Sequence, residues 1–170
     1  MNPDMGSWWR WLMPLAAYLL GSVSFAWIIG RLHGVDLRHH GSHSLGATNA
    51  GRVLGGRWFF VVFALDVAKG WAPVFTADRS LGRGGDAEMV LVLLVGVAAV
   101  LGHIFSCFHR FKGGKAVATV AAPIVHLLVA ERPWNGPELL LTVFILLLTI
   151  LVVLKHRSNI TKLLGRARNA

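Results

Sequence analysis

The chain has 170 residues, 55% of them apolar and 15% charged, and a formal net charge of +9. Soluble domains carry roughly 25% charged residues, so this balance excludes an ordinary water-soluble core and makes lipid the expected solvent. The single cysteine, Cys107, excludes an internal disulfide and the paired-cysteine metal spacings, and no metal or cofactor is expected.

Residues 11–30 contain no charge and match one bilayer crossing. No small-residue cleavage pattern closes the run, so it reads as a retained helix. Residues 31–57 are polar and rich in His, Gly and Arg, which predicts a loop. Residues 58–77 are apolar except for Asp66 and Lys69, and 89–108 except for His103 near the end; both runs predict spanning helices. Two shorter runs, 116–130 and 139–154, can span with snorkelling flanks or local bilayer thinning. The expected fold is therefore an all-α polytopic membrane protein, a single domain with about five transmembrane helices.

With five crossings, segments 31–57, 109–115 and 155–170 share one side and hold twelve Lys and Arg residues, against four on the other. The positive-inside bias puts the N-terminus outside and the C-terminus in the cytoplasm. The tail 160–170 fits either an amphipathic segment on anionic headgroups or a solvated basic tail. The net charge also suggests nucleic acid, but the sequence holds no recognised binding module.

Helix parity brings three unusual segments to the cytoplasmic face. In 41–52, Gly41, Gly46 and Gly51 allow close backbone approach, while Ser42, Thr48, Asn49 and Arg52 supply donors suited to an anion. An ordinary flexible loop is the other reading of that composition. In Phe111-Lys112-Gly113-Gly114-Lys115, two glycines and two lysines precede an apolar run, the pattern of a phosphate cradle at a helix N-terminus. Positive-inside anchoring explains the lysines but not the glycines. It is not a Walker A loop, because Ala116 follows Gly114-Lys115 and His109 stands where that motif has its first glycine. In Lys155-His156-Arg157-Ser158-Asn159, His156 and Asn159 are three apart and share a helix face, although a terminal histidine also serves as a dipole partner. Asp66 and Lys69 would each cost about 3 kcal/mol at the bilayer centre, so both should face the bundle interior. They either neutralise each other at i, i+3 or support the site. His103 is read as a substrate contact or as a packing histidine.

These motifs resemble the bacterial acyl-phosphate-dependent glycerol-3-phosphate acyltransferases, small polytopic enzymes that begin membrane phospholipid synthesis. The resemblance runs through Gly41 to Arg52, Asp66-x-x-Lys69-Gly70, Gly102-His103-x-Phe105, Phe111-Lys112-Gly113-Gly114-Lys115 and His156-Arg157-x-Asn159-Ile160. It implies acyl transfer from acyl phosphate to the 1-hydroxyl of glycerol 3-phosphate on the cytoplasmic face of the bacterial plasma membrane. The partners it implies are the lipid bilayer, acyl phosphate and glycerol 3-phosphate. Carried over by position, Ser42, Arg52, Lys115, His156 and Asn159 are the functional residues. Thr48, Asn49, Lys112, Gly113, Gly114 and His103 are expected to bind substrate or phosphate, with Asp66 and Lys69 in support.

The family usually has Gly-Asn in place of His43-Ser44, Pro in place of Ser106 and Gly in place of Ala116; each change is expected to crowd or depolarise the site. It also typically has seven crossings, so about two helices have no counterpart here. The alternatives are a non-catalytic relative that binds lipid or acyl phosphate, and a small organic-anion transporter.

Overall fold

The computed structural model describes residues 8–81 and 85–129, together with Leu147, Leu148, Ile150, Val152 and Leu154. A 3-10 turn, Trp8–Trp11, leads into α1 (Leu12–Ser22) and α2 (Phe25–Leu32). The order continues with α3 (Ala47–Leu54), α4 (Gly56–Leu81), α5 (Asp86–Ile104) and α6 (Val117–Val129), and no strand occurs among the described residues. Among the described residues, three stretches are long and apolar enough to cross a bilayer: Trp8–Leu32, Gly56–Leu81 and Ala87–His109. Helix α6 has 13 residues. The run expected at 139–154 lies outside the described residues except for the five named above.

The first crossing is broken, which an uninterrupted apolar run does not reveal. Val23 takes extended backbone, and Ser24 caps α2 by accepting a hydrogen bond from the Trp27 N–H at 3.2 Å. A break at membrane depth frees carbonyls that lipid cannot satisfy. Side chains from two other helical regions complete them: Ser106 Oγ donates to the Ser22 carbonyl and Lys69 Nζ to the Val23 carbonyl, both at 2.6 Å.

Small residues bring the helices close enough for these bonds. A Cβ on Gly21 would overlap the backbone of Ala99, one on Gly102 the Tyr18 carbonyl, and one on Gly70 the Thr119 carbonyl. Backbone thus packs against backbone between α1 and α5 and between α4 and α6, as is common where helices meet in lipid. Val74, Val92, Val95, Ala99 and Val100 fill the core between these helices. A second cluster of Ala26, Ile29, Leu37, Leu45, Ala50 and Val62 joins α2, α3 and α4 through the connecting loop. Leu15, Leu19, Phe60, Trp71 and Leu94 face outward, and such a spread of large apolar groups matches a lipid-facing surface rather than a watery one.

Candidate active site

The segment 31–57, expected to be a loop, takes in the end of α2, a tied loop, helix α3 and the start of α4. Asp36 ties the loop. Its carboxylate accepts from the Arg38 backbone and guanidinium, with Nη2 at 2.6 Å, and from Arg31 at 3.2 Å. The Arg38 guanidinium holds the Asp36 carboxyl well below the usual carboxylate range. Arg31 and Arg38 are thereby engaged within the loop, whereas no ion pair engages Arg52 among the described residues.

Asn49 joins the loop to α3. Its Oδ1 accepts the Ser42 N–H at 2.7 Å, and its Nδ2 donates to the carbonyls of Leu37 and His40 at 3.1 and 3.0 Å. The side chain is 1% exposed and its amide is committed to backbone. Gly41 is required beside it: the residue has φ +61°, and the Asn49 amide occupies the space a Cβ would take. Asn49, expected on substrate, lines the cavity between α3 and α4, and its amide also positions Ser42.

The second segment is laid across the end of α5. Gly114 N–H donates to the His103 carbonyl and Gly113 N–H to the Ile104 carbonyl, each at 3.0 Å, so two carbonyls of the last helical turn find donors. A Cβ on either glycine would run into His103. The Gly-Gly pair therefore permits backbone contact, and Lys115 and α6 follow directly. Lys112 is exposed and lies off the cavity that Lys115 lines.

The two segments meet at a cavity of about 380 Å³. Arg52 and Lys115 bring cations to it, and Ser42, Ser44 and Thr48 bring hydroxyls. The first residues of α3 (Ala47, Thr48) and of α6 (Val117, Ala118) also line it. Two helix N-termini therefore converge on one space, where their first N–H groups lack intrahelical acceptors and favour negative charge. Phe59, Phe63 and Asp66 form the α4 wall at i, i+4 and i+7, a helical stripe that was visible in the sequence but not connected to the site.

Behind that wall Asp66 Oδ1 lies 3.0 Å from Lys69 Nζ and 3.7 Å from His103 Nδ1, which is itself 3.1 Å from Thr119 Oγ1. Asp66 and His103 line the cavity, while Lys69 turns to Asp66 and the broken first crossing. His156 and Asn159 lie outside the described residues.

The positions that depart from the family pattern have different surroundings. Ser106 points away from the cavity, to the Ser22 carbonyl and His109. His43 has φ +57° and its Nδ1–H donates to the Arg38 carbonyl outside the cavity, whereas Ser44 adds a hydroxyl inside it. Ala116 lines the cavity with φ +61°, a left-handed backbone conformation that costs a Cβ-bearing residue roughly 1 kcal/mol or more. Ala116→Gly should accordingly raise thermal stability in detergent by about 1 kcal/mol. A lowered midpoint would contradict that assignment of strain.

A sequence profile described as glycerol-3-phosphate acyltransferase matches residues 11–142. A glycerol-3-phosphate acyltransferase of Pseudomonas putida is 35% identical, over 94% of this chain and 98% of the relative. The alignment runs over 193 residues, so part of the relative has no counterpart in the 170 residues here. One from Aquifex aeolicus is 47% identical over 103 residues, 61% of this chain and 52% of the relative. Among solved structures, an integral membrane glycerol 3-phosphate acyltransferase in its glycerol 3-phosphate form superposes with a TM-score of 0.77 at 31% identity, covering 92% of each chain. Its lysophosphatidic acid form gives a TM-score of 0.73 at 30% identity with the same coverage. With the profile spanning most of the sequence and relatives matched nearly end to end, the chain belongs to the glycerol-3-phosphate acyltransferase family.

Proposed function

We propose that this protein transfers a fatty acyl group from acyl phosphate to the 1-hydroxyl of glycerol 3-phosphate, giving lysophosphatidic acid and inorganic phosphate. The observation that carries the reading is the convergence of Arg52, Lys115 and two helix N-termini on one cavity walled on one side by Phe59 and Phe63. Both substrates bring a phosphate to such a site, and one also brings an alkyl chain that the apolar wall suits.

The reaction needs little covalent help from the protein. The hydroxyl oxygen attacks the acyl carbon, the carbonyl oxygen gains negative charge, and the carbon–oxygen bond to phosphate breaks as phosphate leaves. Arg52, Lys115 and the terminal N–H groups stabilise those charges, and Ser42, Thr48 and His103 help to place the reactants. His156 and Asn159 add donors from the C-terminal segment. A phosphate oxygen of the donor takes the hydroxyl proton. We place the cavity on the cytoplasmic face of the bacterial plasma membrane, in a chain of five crossings with its N-terminus outside; the charge asymmetry supports that orientation.

Purified protein in proteoliposomes, given acyl phosphate and labelled glycerol 3-phosphate, should form labelled lysophosphatidic acid. Uptake of label without product would replace this reading with an organic-anion transporter. Binding without turnover would replace it with a non-catalytic relative.

A further inference from the structure

Beyond the end of α5 the chain makes a 3-10 turn, Cys107–His109, followed by two residues in the left-handed region, Arg110 at φ +53° and Phe111 at φ +59°. Neither is glycine, so both are strained and their surroundings have to hold them there. Hydrogen bonds do so. The Ser106 carbonyl accepts from the N–H groups of His109 and Phe111 at 3.1 and 2.8 Å, and the His109 carbonyl accepts from the Lys112 N–H at 3.0 Å. Ser106 is itself buried and tied through its hydroxyl to the Ser22 carbonyl. The turn is therefore fixed in shape rather than a loose connection.

This fixed turn presents two phenyl rings and two cations. Phe108 is 61% and Phe111 62% exposed, and Arg110 and Lys112, also exposed, form no ion pair among the described residues. None of the four is among the residues that line the cavity. Two rings held outward into water leave apolar area unburied, which is unfavourable. Their place along the chain says what covers them. The stretch Ala87–His109 is long and apolar enough to cross a bilayer, and these residues stand at its end, where the headgroup layer begins. At that level aromatic rings sit among headgroups and the tops of acyl chains, while arginine and lysine extend to the phosphates. Two cations with no acidic partner match an anionic headgroup better than a zwitterionic one.

We propose that the turn Phe108–Lys112 is a docking site for anionic phospholipid, with Phe108 and Phe111 seated at the tops of the acyl chains and Arg110 and Lys112 on the charged headgroup. Lys112 thereby has a ligand of its own outside the cavity. Nothing in this site depends on the reaction assigned to the cavity.

Cys107 is the only cysteine in the chain, so a fluorophore can be attached beside the two rings and nowhere else. The labelled full-length protein is placed in phosphatidylcholine nanodiscs that carry a small fraction of phosphatidylglycerol or phosphatidylcholine bearing a nitroxide near the headgroup end of one acyl chain. Both lipids should quench the label, the anionic one with about a fivefold or greater preference, the scale of a cation beside a charged lipid surface. Arg110→Gln with Lys112→Gln should bring the two lipids level while quenching persists. Phe108→Ser with Phe111→Ser should weaken quenching by both and open the label to aqueous iodide. Both pairs alter exposed side chains only and should leave the melting midpoint unchanged. Equal quenching of the wild type by the two lipids, or an unchanged response in either variant, would overturn the proposal. Quenching of the wild type by iodide and by neither lipid would also overturn it, and would make the turn a surface for a soluble partner.

Discussion

Arg52→Ala should lower acyl transfer about 100- to 1,000-fold with little change in thermal stability, the usual scale for removing one preorganised donor from developing charge. Arg52 is exposed on α3, lines the cavity and has no ion-pair partner among the described residues, so its removal breaks no ion pair seen there. Alanine also suits the helix better than most residues. Arg52→Lys should restore only part of the rate, because an ammonium keeps the charge but loses the planar fork that grips a phosphate. The measurement is initial rate beside the melting midpoint of the same sample. Near-normal activity in Arg52→Ala would remove the guanidinium from the reaction.

Asn49→Leu should act by a different route and lose both activity and stability. The substitution leaves the Ser42 N–H and the carbonyls of Leu37 and His40 without their side-chain partner. Each group left unsatisfied costs about 1–3 kcal/mol, reduced where water reaches the loop. Asn49→Asp keeps an acceptor for Ser42 but loses both donors, so it should fall between the wild type and Asn49→Leu. A rise in KM for glycerol 3-phosphate with an unchanged melting midpoint would mean that the amide reads substrate and does not hold the loop.

The contrast between these residues shows what the sequence could reveal. Arg52 was identifiable because an arginine beside glycines and hydroxyls has a chemical meaning before any fold is known. Asn49 has the same local surroundings, yet its role depends on backbone atoms of Leu37 and His40 that only the folded loop brings to it. Lys112 and Lys115 likewise look equivalent in the motif. The turn across the end of α5 sends Lys115 to the cavity and leaves Lys112 outside.

Hydropathy made the long apolar runs legible because lipid imposes a length and a polarity on them. It could not mark the break at Val23, since Ser22, Val23 and Ser24 are all tolerated in an apolar run. The evidence for the break lay on distant residues, Lys69 and Ser106, which complete the freed carbonyls. Helix α3 was hidden by the glycines around it. Its Gly51 serves contact with Phe59 on α4 and is not a sign of flexibility. The pairing of Asp66 with Lys69 followed from helical spacing, but the approach of His103 and Thr119 required three helices to meet.

Acyl transfer to the 1-hydroxyl is followed most directly with glycerol 3-phosphate carrying oxygen-18 in that hydroxyl, with acyl phosphate as donor and the purified protein as catalyst. The heavy oxygen should appear in the ester of lysophosphatidic acid, with unlabelled inorganic phosphate released in equal amount. Free fatty acid with a doubly phosphorylated glycerol, or no ester product from folded protein, would contradict it.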